Sequence, residues 1–329
     1  MSTIYVTRRI PDEGLKLLEA KGHRVVVNPH DRVLTKDELI AAIREHRPDA
    51  LLCLLTDKID GDIIDAGKPA LKIVANYAVG FDNVDLAAAK QRGIPVTNTP
   101  GVLTDAVAEH AVALMFALAR NVCAADQYAK AGRYTGWDPF LFLGMEIKGK
   151  TLGIIGLGRI GYGVAERCVK GMGMQVLYHD PKTNPDFERE LGGVYRSLDD
   201  LCWQSDVISI HVPLIPSTHH LINAERLRHM QTHALLINTS RGPIVDEVAL
   251  LNALERKQLG GAALDVFECE PSITCQPDDH LRLKALPNVI LTPHIASATV
   301  EARQAMSRIA AENILAALAG REPPNIVRY

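Results

Sequence analysis

Lys150-Thr-Leu-Gly-Ile-Ile-Gly-Leu-Gly-Arg-Ile-Gly161, followed one helix-length later by Met174-Gln-Val-Leu-Tyr-His-Asp180, is the most informative stretch of this 329-residue chain. Thr151 to Ile155 is apolar on both faces, as a parallel strand covered by helices must be. Gly156, Gly158 and Gly161 then fill the three glycines of a Gly-x-Gly-x-x-Gly turn, with Arg159 and Ile160 at the start of the next helix. The first glycine permits the tight turn, the second lets a pyrophosphate approach bare backbone, and the third lets the helix pack closely on its strand. The helix N-terminus offers free N–H groups and positive dipole to the phosphate. Asp180 ends the second strand, nineteen residues beyond the third glycine. A carboxylate there accepts the hydroxyls of an adenosine ribose and repels a 2′-phosphate, so the spacing predicts an NAD site.

The rest of the second half continues the alternation. Strands are expected at Met174–His179, Gly193–Tyr195, Asp206–Val212, Ala234–Asn238, Gly261–Val266 and Val289–Thr292, with helices starting near Gly158, Leu198, Ala224 and Asp246. Residues 1–98 alternate in the same way but lack a glycine motif. Their strands are Thr3–Thr7, His23–Asn28, Ala50–Leu55, Lys72–Asn76 and Pro95–Asn98; their helices are Pro11–Lys21, Leu39–Glu45 behind a Thr35…Glu38 capping box, one around Gly61–Ala66, and Asn83–Arg92. Short connections between such units imply parallel, doubly wound sheets. A helix from about Thr299 to Ala319 follows the last strand and is expected to cross back onto the first domain.

The predicted fold class is therefore α/β, with two doubly wound parallel-sheet domains. A Rossmann-type nucleotide domain, residues 99–294, is inserted in a flavodoxin-like substrate domain made of 1–98 and 295–329. Between them a long helical stretch runs from about Thr104 to Ala131, and its first half is apolar nearly all round and should be buried. The loop Tyr134-Thr-Gly-Trp-Asp-Pro-Phe-Leu-Phe-Leu-Gly144 then spends four aromatic residues in a chain only 5% aromatic. It either tucks against its own domain or is covered by a partner; the composition favours a partner, with helix and arm (about 104–147) as the dimerisation element of a homodimer.

Composition excludes several classes. A net charge of −3 with no basic block argues against nucleic acid and anionic membranes as partners. The N-terminus lacks a signal-peptide core, and the longest apolar helix is too short to span a bilayer. Cys53, Cys123, Cys168, Cys202, Cys269 and Cys275 form no Cys-x-x-Cys pair and no zinc spacing, so no metal is expected and the compartment is read as a reducing cytoplasm.

In open α/β sheets functional side chains stand just past the carboxyl ends of strands. There the chain places Arg241; then Asp265, Glu268 and Glu270; then His294 after Pro293. Hydride transfer to a carbonyl needs a proton donor for the developing alkoxide, for which histidine is suited at neutral pH. A 2-oxo acid needs a cation for its carboxylate, and a guanidinium supplies a planar fork. A carboxylate would orient the imidazole, and either Glu268 or Glu270 could serve. His211, inside an apolar strand, is the rival acid.

Several stretches together carry a resemblance: Val74-Ala-Asn-Tyr-Ala-Val-Gly-Phe-Asp-Asn83, Thr97-Asn-Thr-Pro-Gly-Val-Leu-Thr104, the glycine motif, His211-Val-Pro-Leu214, Asn238-Thr-Ser-Arg-Gly-Pro-Ile-Val-Asp246, Asp265-Val-Phe-Glu-Cys-Glu-Pro271 and Thr292-Pro-His-Ile295. Over essentially its whole length the chain resembles the D-isomer-specific 2-hydroxyacid dehydrogenases, most of all their glyoxylate/hydroxypyruvate reductases. The resemblance implies Arg241 as binder of the substrate carboxylate and carbonyl, Glu270 as partner of the imidazole, and His294 as acid/base. It implies backbone N–H groups at Val79 and Gly80 cradling the carboxylate, and Thr104, Val212, Pro213, Thr239 and Asp265 contacting the cofactor along with Arg241 and His294. It further implies that the arm reaches the other subunit's pocket, with Trp137 touching substrate there. Some similar reductases carry a serine-arginine pair after the second strand and take NADPH; His179-Asp180 here argues for NADH.

Other members of the family stay open as readings: D-3-phosphoglycerate, D-lactate and phosphite dehydrogenases. The phosphite type is disfavoured because its pocket lysine would fall at Val79. A non-catalytic, NAD-sensing scaffold of the corepressor kind also retains these residues.

Overall fold

The structure, a computed structural model, describes residues 1–268, 270 and 282–328. Cys269, Pro271 and Cys275 lie outside the described residues. The chain forms two compact units, Met1–Leu103 with Ala298–Tyr329, and Thr104–Ser297.

Among the described residues, the first unit carries a five-stranded parallel sheet in the order β2-β1-β3-β4-β5, with β1 Thr3–Val6, β2 Arg24–Val27, β3 Ala50–Leu54, β4 Ile73–Tyr77 and β5 Val96–Thr97. That is the flavodoxin-like doubly wound order. Helices α1 Asp12–Ala20, α2 Lys36–His46, α3 Gly61–Gly67 and α4 Leu86–Gln91 connect the strands. Helix α2 begins directly after Thr35, earlier than the expected Leu39, because the capping box forms in full: Thr35 Oγ1 accepts from Glu38 N and Glu38 Oε2 from Thr35 N. Helix α4 is shorter than the expected Asn83–Arg92. Its cap is Asp85, and Asn83 is instead buried, donating to the carbonyls of Leu54 and Asp57 at 3.0 Å each. The helix Val300–Leu318 packs in this unit. Ser307 lies against Gly14 of α1, its Oγ accepting from Gly14 N at 2.9 Å, and a Cβ on Gly14 would collide with Ser307 backbone.

The second unit carries, among the described residues, a seven-stranded parallel sheet ordered β12-β11-β10-β9-β6-β7-β8. Its strands are β6 Thr151–Ile155, β7 Gln175–His179, β8 Val194–Tyr195, β9 Val207–Ile210, β10 Leu235–Asn238, β11 Gly261–Leu264 and β12 Val289–Leu291. The strand order reverses between β6 and β9, which is the crevice where a doubly wound sheet binds dinucleotides. Helices α5 Thr104–Ala119, α6 Val122–Lys130, α7 Arg159–Met172, α8 Pro185–Leu191, α9 Leu198–Gln204, α10 Ala224–His229 and α11 Glu247–Glu255 complete it. Cys168 and Cys202 are buried in this unit's apolar core and Cys53 in that of the first.

Three expectations need correction here. The stretch 104–131 is two helices bent by 63°, because Asn121 adopts a left-handed φ of 54° and turns its side-chain amide to the Leu143 carbonyl at 3.2 Å. Helix α5 is not buried all round: Asp105, Glu109, Ala113 and Phe116 form a solvent-facing stripe, half of it apolar. Helix α8, absent from the expected elements, is opened by an Asn184 cap on Phe187 N and by proline at its first position. Among the described residues no single helix is long and apolar enough to cross a membrane.

Candidate active site

The glycine turn has the shape a pyrophosphate needs. Gly156 sits at φ 93°, and a Cβ there would stand 2.8 Å from His211 C and Val212 N at the exit of β9. A Cβ on Gly161 would drive into the Gly156 carbonyl, so the third glycine sets how closely α7 approaches its strand. Around Gly158, which caps α7, there is open space. Arg159 and Ile160 form the first turn of α7, and Thr104 lies against the same helix at Gly163. Asp180 stands at the end of β7, where its Oδ2 accepts from Leu157 N inside the glycine turn at 2.8 Å. The carboxylate is thereby fixed beside the turn. Thr239, just past β10 in the same row of strand ends, has a buried hydroxyl with no hydrogen-bond partner among the described residues. Val212 and Pro213 leave β9 in that row. These residues fit a dinucleotide.

Further along the row an imidazole and a carboxylate are paired. His294 Nδ1 lies 2.8 Å from Glu270 Oε2, and both side chains are partly exposed. The tautomer follows from the partner: a carboxylate accepts, so Nδ1 carries the proton and Nε2 is free to act. The rival carboxylate is occupied. Glu268 Oε1 is 2.5 Å from His220 Nε2, on the turn after β9. That contact joins residues 48 apart in sequence, and it leaves Glu270 as the carboxylate beside His294. The rival histidine is also removed: burial pushes the His211 imidazole down to about 3, and its Nε2 lies 2.8 Å from Ser209 Oγ. A histidine held neutral and engaged there is no proton donor at neutral pH.

His294 sits on a turn with left-handed backbone, φ 54°, costly for a non-glycine residue. Asp265 holds that turn in place. Fully buried, its carboxylate accepts from Thr292 Oγ1 at 2.6 Å, Ile295 N at 2.9 Å and Ala296 N at 2.8 Å. His110 of α5 reaches the same group, its Nε2 3.5 Å from Asp265 Oδ1 and 3.3 Å from Thr292 Oγ1. Burial opposes charge on Asp265, but the donors of His110, Thr292, Ile295 and Ala296 outweigh it and hold the carboxyl below its usual range. His110 and Thr292 are not among the residues expected from sequence; His110 reaches His294 through Asp265, and the Thr292 carbonyl also accepts from His294 N at 3.0 Å.

Arg241 opens a short 3₁₀ turn after β10. Its backbone carbonyl accepts from Asn238 Nδ2 at 2.9 Å and its Nη1 donates to Ser240 O at 2.8 Å. Gly242 beside it lies directly on the Phe267–Glu268 backbone, so the turn of Arg241 and the strand end that leads to Glu270 are packed together. A Cβ would overlap the Phe267 carbonyl, and backbone cannot yield as a side chain can. Gly242→Ala is therefore expected to destabilise the protein by about 1–3 kcal/mol, the range for overpacking, measured as a lowered denaturation midpoint.

In the first unit, Val79 and Gly80 lie just past β4. The carbonyls of Ala78, Val79 and Gly80 are committed to Thr99 N, Asn98 Nδ2 and Asn76 Nδ2, at 2.8–2.9 Å. The N–H groups of Val79 and Gly80 find no acceptor among the described residues. Asn76 also bonds Asn83 at 3.1 Å. Three asparagines thus shape the loop, a role that the sequence alone does not reveal. Trp137, 83% exposed, is not tucked against its own unit; neither are Phe140 at 77% and Leu143 at 68%.

A glycine turn at the switch point of a parallel sheet, an acid fixed beside it, and an imidazole–carboxylate pair at neighbouring strand ends are the arrangement of a nicotinamide-dependent oxidoreductase. Residues 112–296 match the family model described as D-isomer specific 2-hydroxyacid dehydrogenase, NAD binding domain. The chain is 48% identical to the glyoxylate reductase of Thermofilum pendens over 326 residues, covering 98% of this chain and 94% of that one. A crystal structure of a Thermus thermophilus protein superposes with a TM-score of 0.90 at 43% identity, covering 99% and 100% of the two chains. The NADPH-dependent glyoxylate/hydroxypyruvate reductase of Sinorhizobium meliloti does so with 0.84 at 34%, covering 99% and 98%. The chain belongs to the D-isomer specific 2-hydroxyacid dehydrogenases. Its substrate is accordingly a small 2-oxo or 2-hydroxy acid, and its cofactor a nicotinamide dinucleotide.

Proposed function

We propose that this chain reduces glyoxylate or hydroxypyruvate to the D-2-hydroxy acid, with NADH as cofactor and His294 as acid. The observation that carries the reading is the His294–Glu270 pair at 2.8 Å on a turn anchored by Asp265. Bound NADH would supply the hydride. Glu270 keeps the imidazole in one tautomer and compensates its charge when protonated, so that Nε2 delivers a proton to the substrate oxygen. Arg241 takes the substrate carboxylate and polarises the carbonyl. The names of relatives, glyoxylate reductase among them, favour the smallest 2-oxo acids over lactate or phosphoglycerate chemistry. The test is NADH oxidation with glyoxylate, hydroxypyruvate, pyruvate and bulkier 2-oxo acids. Glyoxylate and hydroxypyruvate are expected to give the highest kcat/KM. No turnover with any of them would favour the sensing scaffold instead.

Asp180 supports NADH over NADPH, because its fixed carboxylate would face a 2′-phosphate across the ribose. Wild type is expected to show at least a tenfold kcat/KM preference for NADH, about 1.4 kcal/mol. Asp180→Ala should narrow the gap by gaining with NADPH. Equal use of both cofactors by wild type would contradict this assignment.

The exposed arm supports a homodimer. Trp137, Phe140 and Leu143 of the arm, with Ala113 and Phe116 on the open face of α5, are apolar side chains left exposed to solvent. A two-fold partner covers such a patch reciprocally. Trp137 then stands to shape the neighbour's substrate pocket. Trp137→Ala should raise KM for the 2-oxo acid several-fold and leave KM for NADH nearly unchanged. Sedimentation of wild type at assay concentration should give a dimer; a fully active monomer would refute both statements.

A further inference from the structure

Besides the His294–Glu270 pair, the second unit gathers another set of ligand-type side chains. His219, His220 and Glu268 bring one donor atom each to within 4.8 Å of one another. Sequence spacing gives no hint of it, because Glu268 arrives from a different strand end. The cluster is held in place. His220 has a left-handed backbone, φ 49°, and its N–H donates to Pro243 O at 2.8 Å. Thr218 Oγ1 closes the turn onto Pro213 O at 2.6 Å and accepts from Ile215 N at 2.9 Å. Glu268 is fixed through its own backbone N–H, which donates to the carboxylate of buried Glu247 at 2.5 Å. The two imidazoles are stacked, with centroids 4.1 Å apart and planes inclined by 30°. His219 is exposed, so an ion could enter from solvent.

We propose that His219, His220 and Glu268 form a binding site for a divalent transition ion of the zinc type, distinct from the acid/base pair. Two imidazole nitrogens and one carboxylate oxygen are a known donor set for zinc, with water taking the fourth position. Ligand bonds of about 2.0–2.2 Å require donor atoms roughly 3–3.5 Å apart, so the His220–Glu268 contact has to open from 2.5 Å while the His219 side chain turns toward it. The ion replaces the proton shared by His220 and Glu268. It also ties the turn after β9 to the strand end that leads to Glu270, so binding should stabilise the folded chain.

The test uses the full-length protein and the metal alone. Isothermal titration with zinc chloride at about pH 7.5 should give one site with a micromolar or tighter Kd and a raised Tm. His219→Ala, at an exposed position, and Glu268→Gln, which keeps the side chain's shape, should each weaken binding at least tenfold and abolish the Tm rise. The cobalt(II) form should show d–d absorption without a thiolate charge-transfer band, separating this site from any cysteine. No binding in wild type would overturn the proposal. So would binding that survives unchanged in both variants, or a cobalt spectrum with thiolate character.

Discussion

Substituting His294 by alanine is expected to lower kcat by roughly 10²–10⁴-fold, the range for removing a positioned general acid. The expectation rests on the absence of a substitute. Among the histidines near the same strand ends, His211 is held neutral and engaged with Ser209, and His220 is committed to Glu268. His110 is turned to Asp265 and Thr292. The alanine variant keeps the anchoring of its turn, because Asp265 bonds the backbone of Ile295 and Ala296 and not the imidazole. NADH affinity, read by fluorescence titration, should therefore change little. Glu270→Gln should act in the same direction but less, since an amide can still hold the ring while losing the charge that stabilises its protonated form. Turnover close to wild type in His294→Ala would remove this residue from the chemistry.

Arg241→Ala is expected to lower kcat/KM for the 2-oxo acid by about 10²–10³-fold. Truncating one partner of a charged, hydrogen-bonded pair costs about 2–5 kcal/mol, and each 1.4 kcal/mol is a factor of ten. Both kcat and KM should move, because the guanidinium holds the carboxylate before reaction and meets increasing charge on the carbonyl oxygen during it. Arg241→Lys should recover only part of the loss, since an ammonium has no planar fork. The backbone of the turn should survive either change. Its shape comes from Asn238, which bonds the Arg241 carbonyl and Ser240 N, and from the contact of Gly242 with residues 267–268. A loss confined to KM for NADH would contradict the assignment.

The parts of the site legible in sequence are those set by local rules. The glycine turn, Asp180, Arg241 and His294 all stand just past parallel strands, and strand ends can be found from hydrophobic runs. What sequence left open depends on pairs brought together by the sheet. Glu268 and Glu270 differ by two positions and have the same chemistry; the sheet brings His220 to the first and His294 to the second. Asp265 reads in sequence as a cofactor contact, yet its carboxylate anchors the turn of His294, with help from a helix far earlier in the chain. The asparagines at 76, 83 and 98 are visible as letters but not as a network, because amide side chains can bond almost anything. In the helices, apolar composition conceals both the bend at Asn121 and the open stripe on α5. An apolar surface stripe looks like a core in one dimension.

The central claim is tested most directly with hydroxypyruvate, whose reduction creates a stereocentre. NADH consumption followed by absorbance, with chiral analysis of the product, measures cofactor, reaction and configuration together. Stoichiometric NADH oxidation yielding D-glycerate in wild type, reduced at least about a hundredfold in rate by His294→Ala, is the expected result. Formation of the L-enantiomer, or no NADH consumption by the folded wild-type protein, would contradict it.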